Sequence, residues 1–328
     1  MKESIVCLVL GALLVALSWP AAAQQPEKGY RIGILAGSSQ ALGWQASNEA
    51  LQQGLRELGY VEGKNLLLEY RYAEGNVARF PELAAELVRL NVDLIVAVGQ
   101  PPVLAAKQAT PTIPIVMTVP TDPVATGLVA SLAHPGGNIT GFTSLTIETA
   151  GKRLGLFKAT VPQLVRVAVL YDPANPFNAL HAKEVQTAGQ ALGLTVQLWE
   201  VRGKDDFERV FAALRQERPD GLYVPGGPLI GANAQRIVDF VVTNRLPSVH
   251  DDKDAVEAGG LMSYAADPVD QFRHVASYVD KILKGTKPAE LPVEKPRKFE
   301  LVLNLKTAQQ LGLTVAPEVL SRADKVIK

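Results

Sequence analysis

The sequence predicts an α/β protein built as two doubly wound parallel-sheet lobes. Three observations carry this. Short β-branched runs alternate with helical patterns, the alternation restarts halfway along the chain, and the two halves stay in register through four strand–helix units. One long sheet would not explain the restart.

Arg31-Ile32-Gly33-Ile34-Leu35 opens the first half and Arg166-Val167-Ala168-Val169-Leu170 the second, each a run suited to a buried parallel strand. A helical pattern follows each and stops at Leu58-Gly59 or Leu192-Gly193, where glycine suits the left-handed turn after a helix. Second strands are expected from Asn65 to Tyr70 and from Thr195 to Glu200. Phe80 to Asp93 then matches Phe207 to Asp220 without a gap, with Phe80, Leu83 and Leu87 against Phe207, Val210 and Leu214 at helical spacing. Both lead into third strands that end at glycine, DLIVAVGQPP from Asp93 and DGLYVPGGPL from Asp220. Fourth strands follow at IPIVMT from Ile113 and LPSVHD from Leu246. Gly-Gly turns, GGNIT from Gly136 and GGLMS from Gly259, then launch a short fifth strand in each half, ahead of helices from Thr149 to Thr160 and from Pro268 to Leu283. In HPGGNITGF (134–142) the glycines precede a strand, which argues against a phosphate loop. Asn138-Ile139-Thr140 fits a glycosylation sequon, a pattern that arises easily.

Lys plus Arg equals Asp plus Glu at 33 each, so no global field draws the chain to nucleic acid or an acidic membrane. The N-terminus carries Lys2, an apolar run from Ile5 to Trp19 and then Ala21-Ala22-Ala23. That pattern describes a cleavable secretory signal over 1–23, cut after Ala23, and its core of about 15 residues is short of the ~20 a spanning helix needs. The only cysteine, Cys7, lies inside that run, so the mature chain is expected to lack thiols, disulfides and cysteine-based metal sites, and to be periplasmic.

In open parallel sheets, ligands bind outside the carboxyl ends of the strands. That rule selects Ser38, Ser39, Gly99, Gln100, Thr118, Thr121 and Asp122 in the first half, with Tyr72 and Phe142 beside them. In the second half it selects Tyr171, Asn175, Gly226, Gly227, Asp251 and Tyr264. Ser38 and Ser39 suit a carboxylate or other polar head, and equally suit helix capping. The HDDKD cluster from His250 to Asp254 holds a cation or a ligand amine, or is a solvated turn. The tyrosines wall an aromatic ligand or simply pack. The four histidines show no metal-ligand spacing, there is no G-x-S-x-G elbow, and no cofactor or metal is expected.

Several stretches together resemble a known family: Gly54 to Asn65, Glu69 to Tyr72, Asp122-Pro123-Val124, Gly127 to Leu132 with Pro135 to Gly141, Gly259 to Tyr264, and Phe299 to Gly312. They are similar to the substrate-binding proteins of ABC importers related to the tryptophan- and tyrosine-binding lipoproteins. The resemblance covers nearly the whole mature chain. It implies the type I periplasmic binding protein fold, a monomer that captures a small polar or aromatic, amino-acid-like or carboxylate solute, and a membrane permease with its cytoplasmic ATPase as partner. It also implies lobe 1 at 29–142 plus about 265–290 and lobe 2 at about 150–264 plus about 295–328. The hinge is then expected near 141–144, 263–267 and 290–300, with Gly141, Phe142, Ser263 and Tyr264 flexing. This chain has no lipobox cysteine, which leaves tryptophan or tyrosine open as the solute.

Three other readings stand beside this one. The first is an exported α/β enzyme acting on a small polar substrate through His250, Asp251 and Asp252. The second is the effector-binding half of a sugar-repressor-like regulator, which the leader and the lack of a helix-turn-helix ahead of Arg31 argue against. The third is a periplasmic ligand sensor feeding a membrane kinase.

Overall fold

The structure, a computed structural model, describes residues 29–328 except 40, 42, 43, 120, 121, 297 and 298. The expected leader, Cys7, the cleavage site after Ala23 and Thr121 lie outside the described residues. No described helix is long and apolar enough to cross a membrane.

The first sheet contains β1 (Tyr30–Ala36), β2 (Leu66–Tyr72), β3 (Leu94–Val98), β4 (Ile115–Val119) and β5 (Ile139–Thr143), in the order β2-β1-β3-β4-β5 with every pair parallel. Its helices are α1 (Trp44–Glu57), α2 (Phe80–Arg89) and α3 (Gln100–Ala109). Apolar residues cover both faces, as a parallel sheet requires. Ile32 and Ile34 pack with Leu51 and Leu55 of α1, whereas Leu35 and Ile95 pack with Leu87 of α2 and Val103 of α3. Gly33 in β1 makes room for α2, because a Cβ there would stand 2.9 Å from the Leu87 methyls.

After β5, α4 (Ala150–Thr160) leads into the second sheet, where β6 (Arg166–Tyr171), β7 (Thr195–Glu200), β8 (Gly221–Val224), β9 (Ser248–His250) and β10 (Met262–Ala266) repeat the order as β7-β6-β8-β9-β10. Its helices are α5 (Pro176–Ala191), α6 (Asp206–Glu217), α7 (Pro228–Ala232), α8 (Ala234–Thr243) and α9 (Lys253–Glu257). The expected helix stops hold: α1 and α5 are followed by Gly59 at φ +93° and Gly193 at φ +68°, the left-handed region glycine favours.

The helix that follows each fifth strand belongs to the other sheet's core. Leu154 and Phe157 of α4 pack with Val167, Val169 and Val185 of the second lobe. α10 (Pro268–Leu283) returns to the first lobe, where Phe272, Val275, Ala276 and Val279 repeat at helical spacing against α1. Gly54 of α1 permits that close crossing, since a Cβ there would lie 2.7 Å from the Ala276 Cβ. The chain then runs along β5, with Glu294 donating its backbone N–H to Gly141 O at 2.9 Å, and crosses back into β11 (Phe299–Asn304).

One feature departs from the expected all-parallel sheets. β11 pairs antiparallel with β10, Ala266 facing Phe299, and carries β12 (Lys325–Ile327) at its far edge. The return from the first lobe delivers the chain at the carboxyl end of β10, so the next strand can only run the opposite way. Two short helices, α11 (Leu305–Gln310) and α12 (Pro317–Leu320), close the second lobe.

Candidate functional site

The carboxyl ends of the two sheets face one another across a cavity of about 300 Å³. Ser38, Gly99, Gln100 and Thr118 of the first lobe line it, together with Asn175, Gly226, Gly227 and Asp251 of the second. The starts of α3, α5, α7, α9 and α10 all reach it. α3 opens at Gly99, whose φ of +95° and lack of a side chain leave the lobe rim open, but Pro101 and Pro102 present no N–H groups there.

The cavity's ionisable side chains among the described residues are two carboxylates, Asp251 and Asp252, with no Lys, Arg or His in its wall. Asp251 Oδ2 accepts the Gly226 N–H at 2.6 Å, and Gly226 is glycine because a Cβ would stand 2.6 Å from that oxygen. Asp252 caps α9, its Oδ1 accepting from Asp254 N at 2.7 Å and Ala255 N at 3.0 Å. Burial pushes Asp252 up to about 7, the neighbouring Asp251 charge adding to the effect. Burial also raises Asp251, opposed by the buried Arg153 guanidinium beneath it and by the Gly226 N–H. Arg153 itself is fully buried and donates to Tyr264 O at 2.8 Å and to Tyr223 Oη at 2.7 Å.

The apolar walls come mostly from residues the sequence reading did not select. Trp44 at the start of α1 meets Phe272 of α10 edge-on, ring centroids 5.9 Å apart, and Phe177 at the start of α5 faces in from the other lobe. Ser144, Thr146 and Gln271 add neutral polar groups. Trp44 had a sequence signal, a bulky aromatic at a helix start just past a rim loop. Phe272 had none, because α10 reaches this wall only through the exchange of helices between lobes.

Six expected ligand residues stand away from the cavity. Ser39 donates its hydroxyl to Glu74 Oε1 at 2.9 Å. Ser38 lines the cavity but also donates to Glu74, at 2.9 Å to Oε2, so this pair faces a carboxylate rather than awaiting one. Tyr72 supports the wall from behind, accepting the Trp44 indole N–H at 3.1 Å. Asp122 accepts the Val124 N–H at 2.8 Å within its own turn. Tyr171 turns outward to donate to Glu200 at 2.8 Å. Phe142 is buried against Tyr278, centroids 4.7 Å apart, and Tyr264 is buried in the second core, where its hydroxyl meets Lys152 Nζ.

The four expected flexing residues lie inside strands. Gly141 pairs with Met117 and Phe142 with Thr118 along β4, while Ser263 is held between β9 and β11 and Tyr264 pairs with Leu301 of β11. Gly141 is required for close approach: at φ +132°, a Cβ would stand 2.2 Å from Met117 O. Asn138 spends both amide protons on Thr110 O and Ile113 O, at 3.2 and 2.8 Å, which ties the sequon asparagine to the turn before β4.

The acid–base cluster does not assemble. His250 is buried behind the cavity wall with Nε2 3.0 Å from Ser248 Oγ, and Gly260 seals it, since a Cβ there would lie 2.8 Å from the same nitrogen. Burial lowers it to about 4. It therefore shares no reaction space with Asp251 and Asp252.

Two facing lobes, a cleft between their rims and paired carboxylates beside aromatic walls define a solute receptor of the two-lobed type. The family model described as ABC transporter substrate binding protein matches residues 40–327, and the chain belongs to that family. It is 26% identical over 262 residues to a tyrosine-binding protein of Clostridioides difficile, covering 80% of this chain and 75% of that one. A crystal structure of an ABC domain in complex with L-Trp from Streptococcus pneumonia superposes with a TM-score of 0.81 at 27% identity, covering 92% of this chain and all of that one. A conserved domain protein of Vibrio cholerae superposes at 0.82 with 29% identity, over 91% of this chain and 100% of the other.

Proposed function

We propose that this protein is the extracytoplasmic receptor of an ABC importer and that its solute is an aromatic α-amino acid. The observation that carries the reading is the cavity's composition: two carboxylates, no cationic side chain among the described residues, and an aromatic wall of Trp44, Phe272 and Phe177. An ammonium group pairs with Asp251 and Asp252, and the ring packs on the apolar side. The solute carboxylate is left to neutral donors such as Ser144, Thr146 and Gln271. The Clostridioides and Streptococcus relatives, named for tyrosine and bound to L-Trp, support the same class.

Closure supplies the signal. A solute touching both rims favours the closed form by its differential affinity, and the membrane permease reads that shape. Because Gly141 and Ser263 are held in sheets, we assign the bending to links between the lobes outside the strands, Ser144 to Thr149 and Asp267 among them. Asp267 caps α10 through Val269 N at 3.0 Å and pairs with Lys253 of α9 at 2.8 Å, joining the lobes at one of these links.

The test is a melting-temperature screen with L-tryptophan, L-tyrosine, tryptamine and indole-3-propionate. Ligand at a hundredfold excess over Kd adds about 2.7 kcal/mol. The amino acids should raise the melting temperature, tryptamine less so, and indole-3-propionate not at all. No shift with any amino acid would sink the reading. N-terminal sequencing of exported protein checks the leader, with Gln24 expected as the first residue.

A further inference from the structure

Beside the main cavity lies a second, apolar crevice of about 180 Å³ between α2 and α3 of one lobe and the start of α5 of the other. Val77, Phe80, Leu104 and Ala105 form its first-lobe side, and Pro176 and Phe177 its second-lobe side. The two spaces share a partition made by Gln100 and Pro101 from the first lobe and Asn175 and Phe177 from the second. We propose that this crevice is a second subsite of the receptor, taking the apolar far end of the solute, so that amino acids with an extended aromatic side chain are preferred ligands. The inference rests on the solute-receptor reading above and names a narrower substrate class for the same site.

Three observations carry it. The partition joins side chains of opposite lobes, so a group passing it touches both lobes and favours closure directly. The crevice lining is apolar, which suits hydrocarbon and gives ordered water few partners. At the partition itself, Asn175 Nδ2 is buried with no hydrogen-bond partner among the described residues, while Oδ1 of the same side chain caps α5 through Phe177 N at 3.1 Å. A hydrogen-bond acceptor placed midway along the solute would satisfy that donor. An aryl ether has this form: ring in the main cavity, oxygen at the partition, alkyl group beyond it.

The experiment is calorimetric titration with L-tyrosine and its O-methyl, O-propyl and O-benzyl ethers. Affinity should hold or rise with each extension, by up to about fourfold per buried methylene. Gln108→Trp and Leu104→Trp each place an indole in the crevice from α3; Gln108 lies at its exposed edge, so that variant leaves the core alone. Both should abolish the gain for the ethers and leave L-tyrosine within twofold of wild type. A tenfold or greater loss for O-propyl-L-tyrosine in the wild type would overturn the proposal, as would equal losses for all ligands in the variants. A second arm needs no amino-acid head group: 1-hexanol should shift the methyl resonances of Val77, Leu104 and Ala105, and Gln108→Trp should suppress the shift. Hexanol binding without L-tyrosine binding would remove the amino-acid reading and keep the crevice; no hexanol shift removes the crevice.

Discussion

The lips of the cleft meet through glycine, and this makes closure unusually easy to perturb without touching the ligand. Pro228 Cα lies 3.0 Å from where a Cβ on Gly37 would stand, and Ala232 Cβ lies 3.2 Å from where one on Gly75 would stand. Carbon pairs settle at about 3.5–4.0 Å, so neither position has room for a side chain while the lobes stand this close. Ala232 is outside the cavity wall and at the end of α7, where leucine costs little helix propensity. Ala232→Leu drives its branched end into Gly75 and must either strain the closed form or part the lobes. Overpacking costs about 1–3 kcal/mol, and here the fold escapes it by opening, so the cost falls on closure alone. Converted at about 1.4 kcal/mol per tenfold, solute affinity should drop about fivefold to about 140-fold. Calorimetry with L-tryptophan and L-tyrosine reads the affinity, X-ray scattering reads the ligand-induced compaction, and the ligand-free melting temperature should not move. Wild-type affinity with full compaction in Ala232→Leu would refute the seam as the limit of closure.

Other consequences follow from single residues. Trp44→Ala removes the aromatic wall and an edge-on ring pair worth about 0.5–1.5 kcal/mol beyond its buried area, so aromatic solutes should bind at least about tenfold more weakly by calorimetry. An ammonium solute requires ionised carboxylates, so affinity should fall as pH drops through about 7, where Asp252 takes up its proton, and Asp252→Asn should remove that dependence. The stability of the empty protein runs the other way. A carboxyl held at about 7 when folded and near 3.9 when unfolded favours the fold below the unfolded value and loses that contribution as pH rises toward 7. The ligand-free melting temperature should therefore decline between pH 4 and 7, less steeply in Asp252→Asn, which keeps the helix cap. Gly141→Ala sets a Cβ against the β4 backbone in a conformation alanine resists, and should cost at least about 3 kcal/mol in urea unfolding.

The duplication was legible because it lives in local pattern. Buried parallel strands are continuous β-branched runs, and Ile32 and Val167 fall at matching points of the two halves. The rim residues were legible through topology: once strand order is known, Gly99, Gln100, Gly226, Gly227 and Asp251 fall at strand ends. The choice between wall and packing was not legible for the tyrosines, because a strand-end position does not fix which face a side chain takes. Tyr171 turns to Glu200, and Tyr264 sits in the core under Lys152. The need for glycine at 141 was illegible for a related reason, since it comes from Met117 on the neighbouring strand. The antiparallel β11 and the Phe272 wall depend on where α10 docks, a long-range packing outcome that no window of sequence contains.

On the proposed reading, the same features that bind the solute also keep the empty receptor from closing on its own. Burial, with the neighbouring Asp251 charge adding to it, is what holds Asp252 near 7. Closing an empty cleft at neutral pH therefore means desolvating that pair with only the buried Arg153 to offset it. A solute ammonium cancels the penalty at the moment of closure, and its ring covers Trp44 and Phe272 at the same time. The glycine seam at Gly37 and Gly75 adds little contact energy of its own, so it sets how far the lobes can approach without holding them there. Charge and aromatic burial are then the terms that differ between open and closed forms, and a ligand shifts the equilibrium only through such terms. An Asp251→Asn, Asp252→Asn double variant isolates the point: it should lose solute affinity while its empty form becomes more compact by scattering. If the variant stays as open as the wild type without solute, the carboxylates bind the solute but do not hold the cleft apart.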